Sequence, residues 1–416
     1  MGEARRQFRF VRQPDITDAV TQVGQSILAA NGEDPQTFHF LVVREDIPNA
    51  FAVPGGYIFV FDGLLSRMDS VDELAGVLSH EIGHVKKDHF FKEDKKADLA
   101  GIAGIVAALV TREPGAAIAG MATAESLGLS FSREHEREAD SVGLRYLNQA
   151  GYDPAGLLNF FKTLEAYEQY NPSLVPAYFS THPAVEEREA TMQMLIRSLP
   201  PRPEGAAPVT LDWDRIRAIV EIEENPKKPP SEFFLDPTKK TYPDDKVHFI
   251  TGLFYVNNSQ SREAVTEFGE AIRIKPDSSL YHSAYADALF RSGRVDDAES
   301  EAEKSLSLDP RNGEAEMVLG FVEEAKRETG SAIDHFEKAK ALRSADPTIC
   351  FKLGSLYASR GDRKETFWNL ARYYRLDMQT ERAFNELQKA REAFAGDRPY
   401  RQRVEDEMMD ILREGL

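Results

Sequence analysis

SVDELAGVLSHEIGHVKKDHF, residues 70–90, opens with a serine three positions ahead of Glu73 and then carries Val71, Leu74, Ala75, Leu78, Ile82 and Val85. The serine–glutamate spacing is that of a capping box, and the apolar residues recur with helical periodicity. Together they predict an amphipathic helix running through His80 and His84. These two histidines are four residues apart, so their rings project from one face, one turn above the other. Two imidazole nitrogens placed so can reach one tetrahedral zinc, with Glu81 beside the metal rather than on it. A glutamate in that position can take a proton from a water attacking a peptide carbonyl and deliver it to the leaving nitrogen.

Upstream, Asp15–Ala30 reads as an amphipathic helix with Ile16, Ala19, Val20, Val23 and Ile27 on one side. FHFLVV (38–43) and YIFVF (57–61) read as strands, separated by NAFAVPGG (49–56), in which 50–53 is a further extended stretch before a Pro-Gly-Gly turn. Downstream, LAGIAGIVAALVT (99–111) and GAAIAGMATA (115–124) are each too short to span a bilayer. They read as small-residue helices packed in the domain, or as an apolar hairpin making peripheral contact with a membrane or a hydrophobic client. SREHEREADSVGLRYL (132–147) reads as another helix, capped by Ser132. It offers His135, Glu136, Glu138 and Asp140, and periodicity does not choose between Glu136 and Glu138 as a third metal ligand. Glu136 and Asp140 share a face, so one can ligate while the other fixes the tautomer of a ligand histidine.

Two proline-rich breakers follow, PPRP at 200–203 and NPKKPPSEFFLDPTKKTYP at 225–243, with a short helix expected between them. The expected organisation is a domain over 1–199, a linker over 200–243 that packs only locally, and a repeat domain over 244–416. Pro276 and Pro310 lie 34 residues apart, the tetratricopeptide period. Gly252, Tyr255, Ala264, Phe268 and Ala271 occupy the small and aromatic contact positions of one unit. Ala286, Leu289 and Ala298 follow in the next, and Gly320, Ala332, Phe336 and Ala339 in a third. A fourth begins at Gly354 and Tyr357 but has Thr366 where alanine is expected. Stacked helix pairs of this kind form an all-α solenoid suited to extended partners.

The chain has 416 residues and a formal charge of −18, which argues against nucleic acid as a partner because phosphate contacts need a basic surface. The single cysteine, Cys350, excludes an internal disulfide framework. MGEARRQFRF at the start lacks the apolar core of a secretory leader. The protein is then either cytosolic or written here without an export signal that has been removed.

HEIGH followed some fifty residues later by EREAD, with NAFAVPGGYIFVFDGLL ahead and a THP tripeptide at 181–183, resembles the gluzincin metallopeptidases of the HtpX and CAAX prenyl protease type. Repeats C-terminal to that domain resemble the BepA-like periplasmic members of the group. The resemblance implies an α+β zincin-like domain, mostly helical with a small sheet, and one zinc per chain held by His80, His84 and Glu136. It implies Glu81 as the general base and Asp140 as a supporting carboxylate. It also implies Asn49, Ala50, Phe51 and Ala52 as a strand edge for extended substrate, and His182 at the metal. The function implied is a periplasmic endopeptidase cleaving misfolded or stalled outer-membrane proteins, with the repeats holding the client or the assembly machinery. An assembly factor or chaperone with a latent peptidase is the other reading. His182 can act as a fourth ligand that plugs the site, or as a hydrogen-bond donor to the tetrahedral intermediate.

Overall fold

The computed structural model describes residues 9–53, 55–89, 132–170, 178, 182, 185–234 and 242–413. Residues 99–124, and most of 171–181, lie outside them. Tertiary contacts divide the chain into two units, Met1–Val220 and Glu221–Leu416.

In the first unit, helix α1 (Pro14–Ala30) buries Ile16, Ala19, Val20, Val23 and Ile27, the face its periodicity predicts. Strands β1 (His39–Val43), β2 (Ala50–Val53) and β3 (Tyr57–Phe61) form one sheet in the order β1-β3-β2. β3 is the central strand, parallel to β1 and antiparallel to β2. The β2–β3 register pairs Phe51 with Phe59, whose rings stack with centroids 5.0 Å apart. After the single turn α2 (Asp62–Leu65), helix α3 (Val71–Lys86) packs across α1 and the sheet.

Helix α3 begins as its sequence predicts. Ser70 is the N-cap, its Oγ accepting from the Glu73 N–H at 3.3 Å, while the Glu73 carboxylate accepts from the Asp69 N–H at 3.3 Å. The same carboxylate accepts from Thr163 Oγ1, which lies on helix α5 (Gly156–Tyr170). Burial pushes the Glu73 pKa up to about 7 despite these donors. A carboxyl whose pKa is higher folded than unfolded binds more protons when folded, so its ionisation opposes folding. Stability should therefore fall as pH rises from roughly 4.3, the unfolded value, to about 7. Glu73→Gln should remove that component, up to about 3 kcal/mol. Thermal melts of both proteins across this range check it, and parallel pH profiles would contradict it.

Helix α4 (Arg133–Gln149) crosses α3 closely because glycines meet backbone at the crossing. A Cβ on Gly83 would lie 2.8 Å from the Ala139 carbonyl oxygen, and one on Gly143 would lie 3.0 Å from the His80 nitrogen. This approach brings one face of α4 within reach of both α3 histidines.

Residues 200–220, expected to pack only locally, are instead tied into the first unit by long-range contacts. Arg202 donates to the Tyr152 carbonyl, the Tyr152 hydroxyl accepts from the Val209 N–H, and Asn148 donates to the Pro200 carbonyl. Helix α7 (Trp213–Glu224), which follows α6 (Val185–Ser198), buries Trp213, Ile216, Ile219 and Val220. The Trp213 Nε1–H donates to the Met68 carbonyl at 2.9 Å, and Arg217 pairs with Asp69. The apolar face of this short helix is what the proline-rich composition masked.

The second unit is a series of helix pairs, the first being Asp244–Asn257 with Ser261–Ile274. The repeat residues Ala264, Phe268, Ala271, Ala286, Leu289, Ala298, Ala332, Phe336 and Ala339 are all buried. The period shows again in three side-chain pairs, His248–Glu267, His282–Glu301 and Glu316–His335, at 2.7, 2.6 and 2.6 Å. Each partner advances by 34 residues per repeat, and in the third pair histidine and glutamate exchange helices. Beyond the fourth unit the helices continue as Thr380–Ala393 and Arg398–Arg413, which share a core of Leu387, Val404 and Ile411. No proline at the 34-residue spacing marks this last pair in the sequence. No helix among the described residues is long and apolar enough to cross a membrane.

Candidate metal centre

His80 and His84 present their Nε2 atoms 3.0 Å apart, both rings fully buried. Ser132 caps α4 by accepting from the His135 N–H, and the first turns of α4 then deliver Glu136 and Asp140 to the α3 histidines. Glu136 Oε1 lies 3.3 Å from His84 Nε2, and Glu136 Oε2 lies 3.6 Å from His80 Nε2. Asp140 Oδ1 stands 3.0 Å behind His80, at Nδ1. Glu138 points elsewhere, 3.1 Å from His89 Nε2. The helix face thus separates the two glutamates that periodicity left open.

His182 completes the cluster, with Nδ1 3.2 Å from Glu136 Oε1 and 3.3 Å from His80 Nε2. One ligand atom from each of His80, His84, Glu136 and His182 can be chosen so that all lie within 4.8 Å of one another. A tetrahedral zinc with bonds of about 2.0–2.1 Å requires ligand atoms about 3.4 Å apart. His80 Nε2 to His84 Nε2 and to His182 Nδ1, and Glu136 Oε1 to His84 Nε2 and to His182 Nδ1, are 3.0 to 3.3 Å apart, close to such edges, so the residues present fit the ion.

The electrostatics fit a cation at Glu136 and His84, whereas at His80 hydrogen bonds to Asp140 and Glu136 outweigh burial and raise the pKa to about 9, so an ion there displaces a proton. Burial would raise the Glu136 pKa, but His182 and Arg188 outweigh it and hold the carboxylate well below its ordinary range. Burial lowers the His84 pKa well below its usual value, leaving a neutral imidazole of the form a metal takes. Glu81 is fully buried, and burial pushes its pKa up against the Ala52 backbone and the neighbouring histidines. His182 Nε2 lies 3.4 Å from Glu81 Oε1.

Arg188 went unnoticed in the sequence. On α6, it is the largest fully buried side chain among the described residues, forking onto Asp140 at 2.8 and 2.7 Å and reaching Glu136 Oε2 at 2.5 Å. Its guanidinium also lies over the Phe161 ring, 4.9 Å from the centroid. Tyr178, likewise unmarked, stacks on His182 with centroids 4.4 Å apart and donates its backbone N–H to the Pro48 carbonyl. Asn49 to Ala52, the expected substrate edge, are buried, and β2 is the outer strand beside α3.

Residues 14–195 match peptidase family M48, and residues 252–310 and 286–347 match the tetratricopeptide repeat. The chain is 24% identical to the beta-barrel assembly-enhancing protease of Yersinia pestis, over 83% of this chain and 66% of that protein. It is 22% identical to the protein of the same name from Escherichia coli (strain K12), over 87% of this chain and 69% of that one. The mitochondrial metalloendopeptidase OMA1 of Schizosaccharomyces pombe is 34% identical over 41% of this chain and 50% of its own length. The chain spans 59% to 69% of the length of the curated beta-barrel assembly-enhancing proteases it matches. The chain thus carries a peptidase family M48 domain followed by tetratricopeptide repeats.

Proposed function

We propose that the chain is a zinc-dependent endopeptidase, with His80, His84 and Glu136 as ligands and His182 holding the site latent. The observation that carries this is the buried cluster of His80, His84, Glu136 and His182, whose ligand atoms lie within 4.8 Å of one another, with Glu81 beside it. A zinc ion held there would supply a Lewis acid for the scissile carbonyl and an acidified water. Glu81, buried beside the cluster, would be the base that takes a proton from a water there and passes it to the leaving nitrogen. Asp140 orients His80 by accepting from Nδ1–H. β2, outermost in the sheet and packed against α3, offers an extended substrate a strand to pair with.

His182 Nδ1 takes the fourth vertex, where the attacking water has to stand, which supports a latent rather than a constantly open enzyme. The names of the relatives support a part in β-barrel assembly, and the family resemblance of the motifs supports outer-membrane clients in the periplasm, with the repeats recruiting the client or the assembly machinery. An assembly factor whose peptidase stays shut is the second reading, and the same fourth vertex favours it.

Cleavage of unfolded casein by zinc-loaded wild type and His182→Ala tests the proposal. A plug favoured by about 1.4 kcal/mol predicts roughly tenfold faster cleavage by the variant. A donor to the tetrahedral intermediate predicts a loss of about 10²–10³-fold instead. Equal rates contradict both roles, and no cleavage by either protein contradicts the endopeptidase.

A further inference from the structure

Resting on the metal-site reading above, we infer that His89 is a positioning residue: it holds His84 in its metal-binding tautomer and is itself held by Glu138. A histidine that offers Nε2 to a metal carries its proton on Nδ1 and needs an acceptor there. For His80 that acceptor is Asp140, 3.0 Å from Nδ1. For His84 the group at that position is another imidazole, with His89 Nδ1 lying 3.0 Å from His84 Nδ1. If His84 donates, His89 accepts through Nδ1, so its own proton sits on Nε2. That nitrogen lies 3.1 Å from Glu138 Oε2, a carboxylate able to accept it. Every hydrogen in the series His84–His89–Glu138 then has an acceptor, with no conflict of tautomer. The two ligand histidines are thus oriented by different means, one by a carboxylate and the other by a carboxylate acting through a second imidazole.

The backbone is shaped to bring this about. Lys87 is the C-cap of α3, and Asp88 follows with φ 52° in the left-handed region, where non-glycine residues are uncommon. The Asp88 N–H donates to the Val85 carbonyl at 3.1 Å, and the His89 N–H donates to the His84 carbonyl at 3.3 Å. These are the two bonds of a Schellman ending, which folds the chain back over the last turn. His89 therefore returns to His84 through its backbone and through its ring. The ring is 2% exposed and stacks on His135 of α4, with centroids 4.4 Å apart and planes 18° apart. Glu138 is 35% exposed, so the series runs from the buried centre to the surface.

The test compares zinc affinity, by chelator competition, and the visible spectrum of the cobalt-substituted protein in wild type, His89→Phe, His89→Gln and Glu138→Ala. Phenylalanine keeps the ring packing but offers His84 no acceptor, so zinc affinity should fall about 10–100-fold and the cobalt bands should shift. Glutamine restores an acceptor and should bring affinity back to within a few-fold of wild type. Glu138→Ala lies at the solvent end, is expected to fold normally, and should lose a smaller but measurable part. It carries the test should His89→Phe fail to fold. Wild-type affinity and an unshifted spectrum in both His89→Phe and Glu138→Ala would overturn the inference. Wild type that binds no zinc would overturn the metal site beneath it, a distinguishable result.

Discussion

Glu81→Gln is expected to bind zinc and to melt no lower than wild type, yet to cleave an unfolded protein about 10²–10⁴-fold more slowly. The reasons lie in the surroundings of its carboxylate. Glu81 is wholly buried, and burial outweighs the Ala52 backbone and the neighbouring histidines and raises its pKa. A neutral amide of the same shape therefore relieves an uncompensated burial cost rather than breaking a bond the fold depends on. Chemistry suffers as well: among the described residues, no other carboxylate of the cluster stands free of ligation and of Arg188. The comparison is best made both in wild type and in His182→Ala, so that latency and loss of the base are separated. Retained cleavage by a Glu81→Gln protein of verified mass would remove this glutamate from the mechanism.

Arg188→Met should have the largest effect on stability. It leaves Asp140 and Glu136, both buried, without the cation that spans them at 2.5 to 2.8 Å. Removing one partner from a buried ion pair costs roughly 3–5 kcal/mol, because the remaining charge is stranded in a poor solvent. For a unit of this size that lowers the melting temperature by on the order of 10 °C. Added zinc should recover part of the loss, since a divalent cation beside Glu136 replaces some of the missing charge. Melting curves with chelator and with zinc check both parts. An unchanged melt in chelator would mean that Arg188 is not the counter-charge the geometry makes it.

The parts of the site that are local in sequence were legible there. The capping box at Ser70, the apolar series through Ile82 and the four-residue histidine spacing specify α3 and its metal-facing side, because helix geometry is periodic. The repeats were legible for a similar reason, with Pro276 and Pro310 marking a period that the His–Glu pairs follow in space. Arg188 was not legible. VEEREATMQMLIRS reads as a charged surface helix, and its partner Asp140 lies 48 residues away. His89 lies past the end of its helix, where periodicity no longer says which way a side chain points. The choice of Glu136 over Glu138 at the cluster depends on how α4 is rotated against α3, which Gly83 and Gly143 decide by contact. The packing of residues 200–220 turned on Trp213 and Arg217, whose partners Met68 and Asp69 are about 145 residues upstream.

Zinc per chain, determined by elemental analysis after gel filtration of zinc-loaded wild type and Glu136→Gln, tests the central claim most directly. The tetrahedron of His80, His84, Glu136 and His182 predicts one zinc per wild-type chain and close to none in the variant. Equal zinc in the two proteins, or none in wild type, would contradict it.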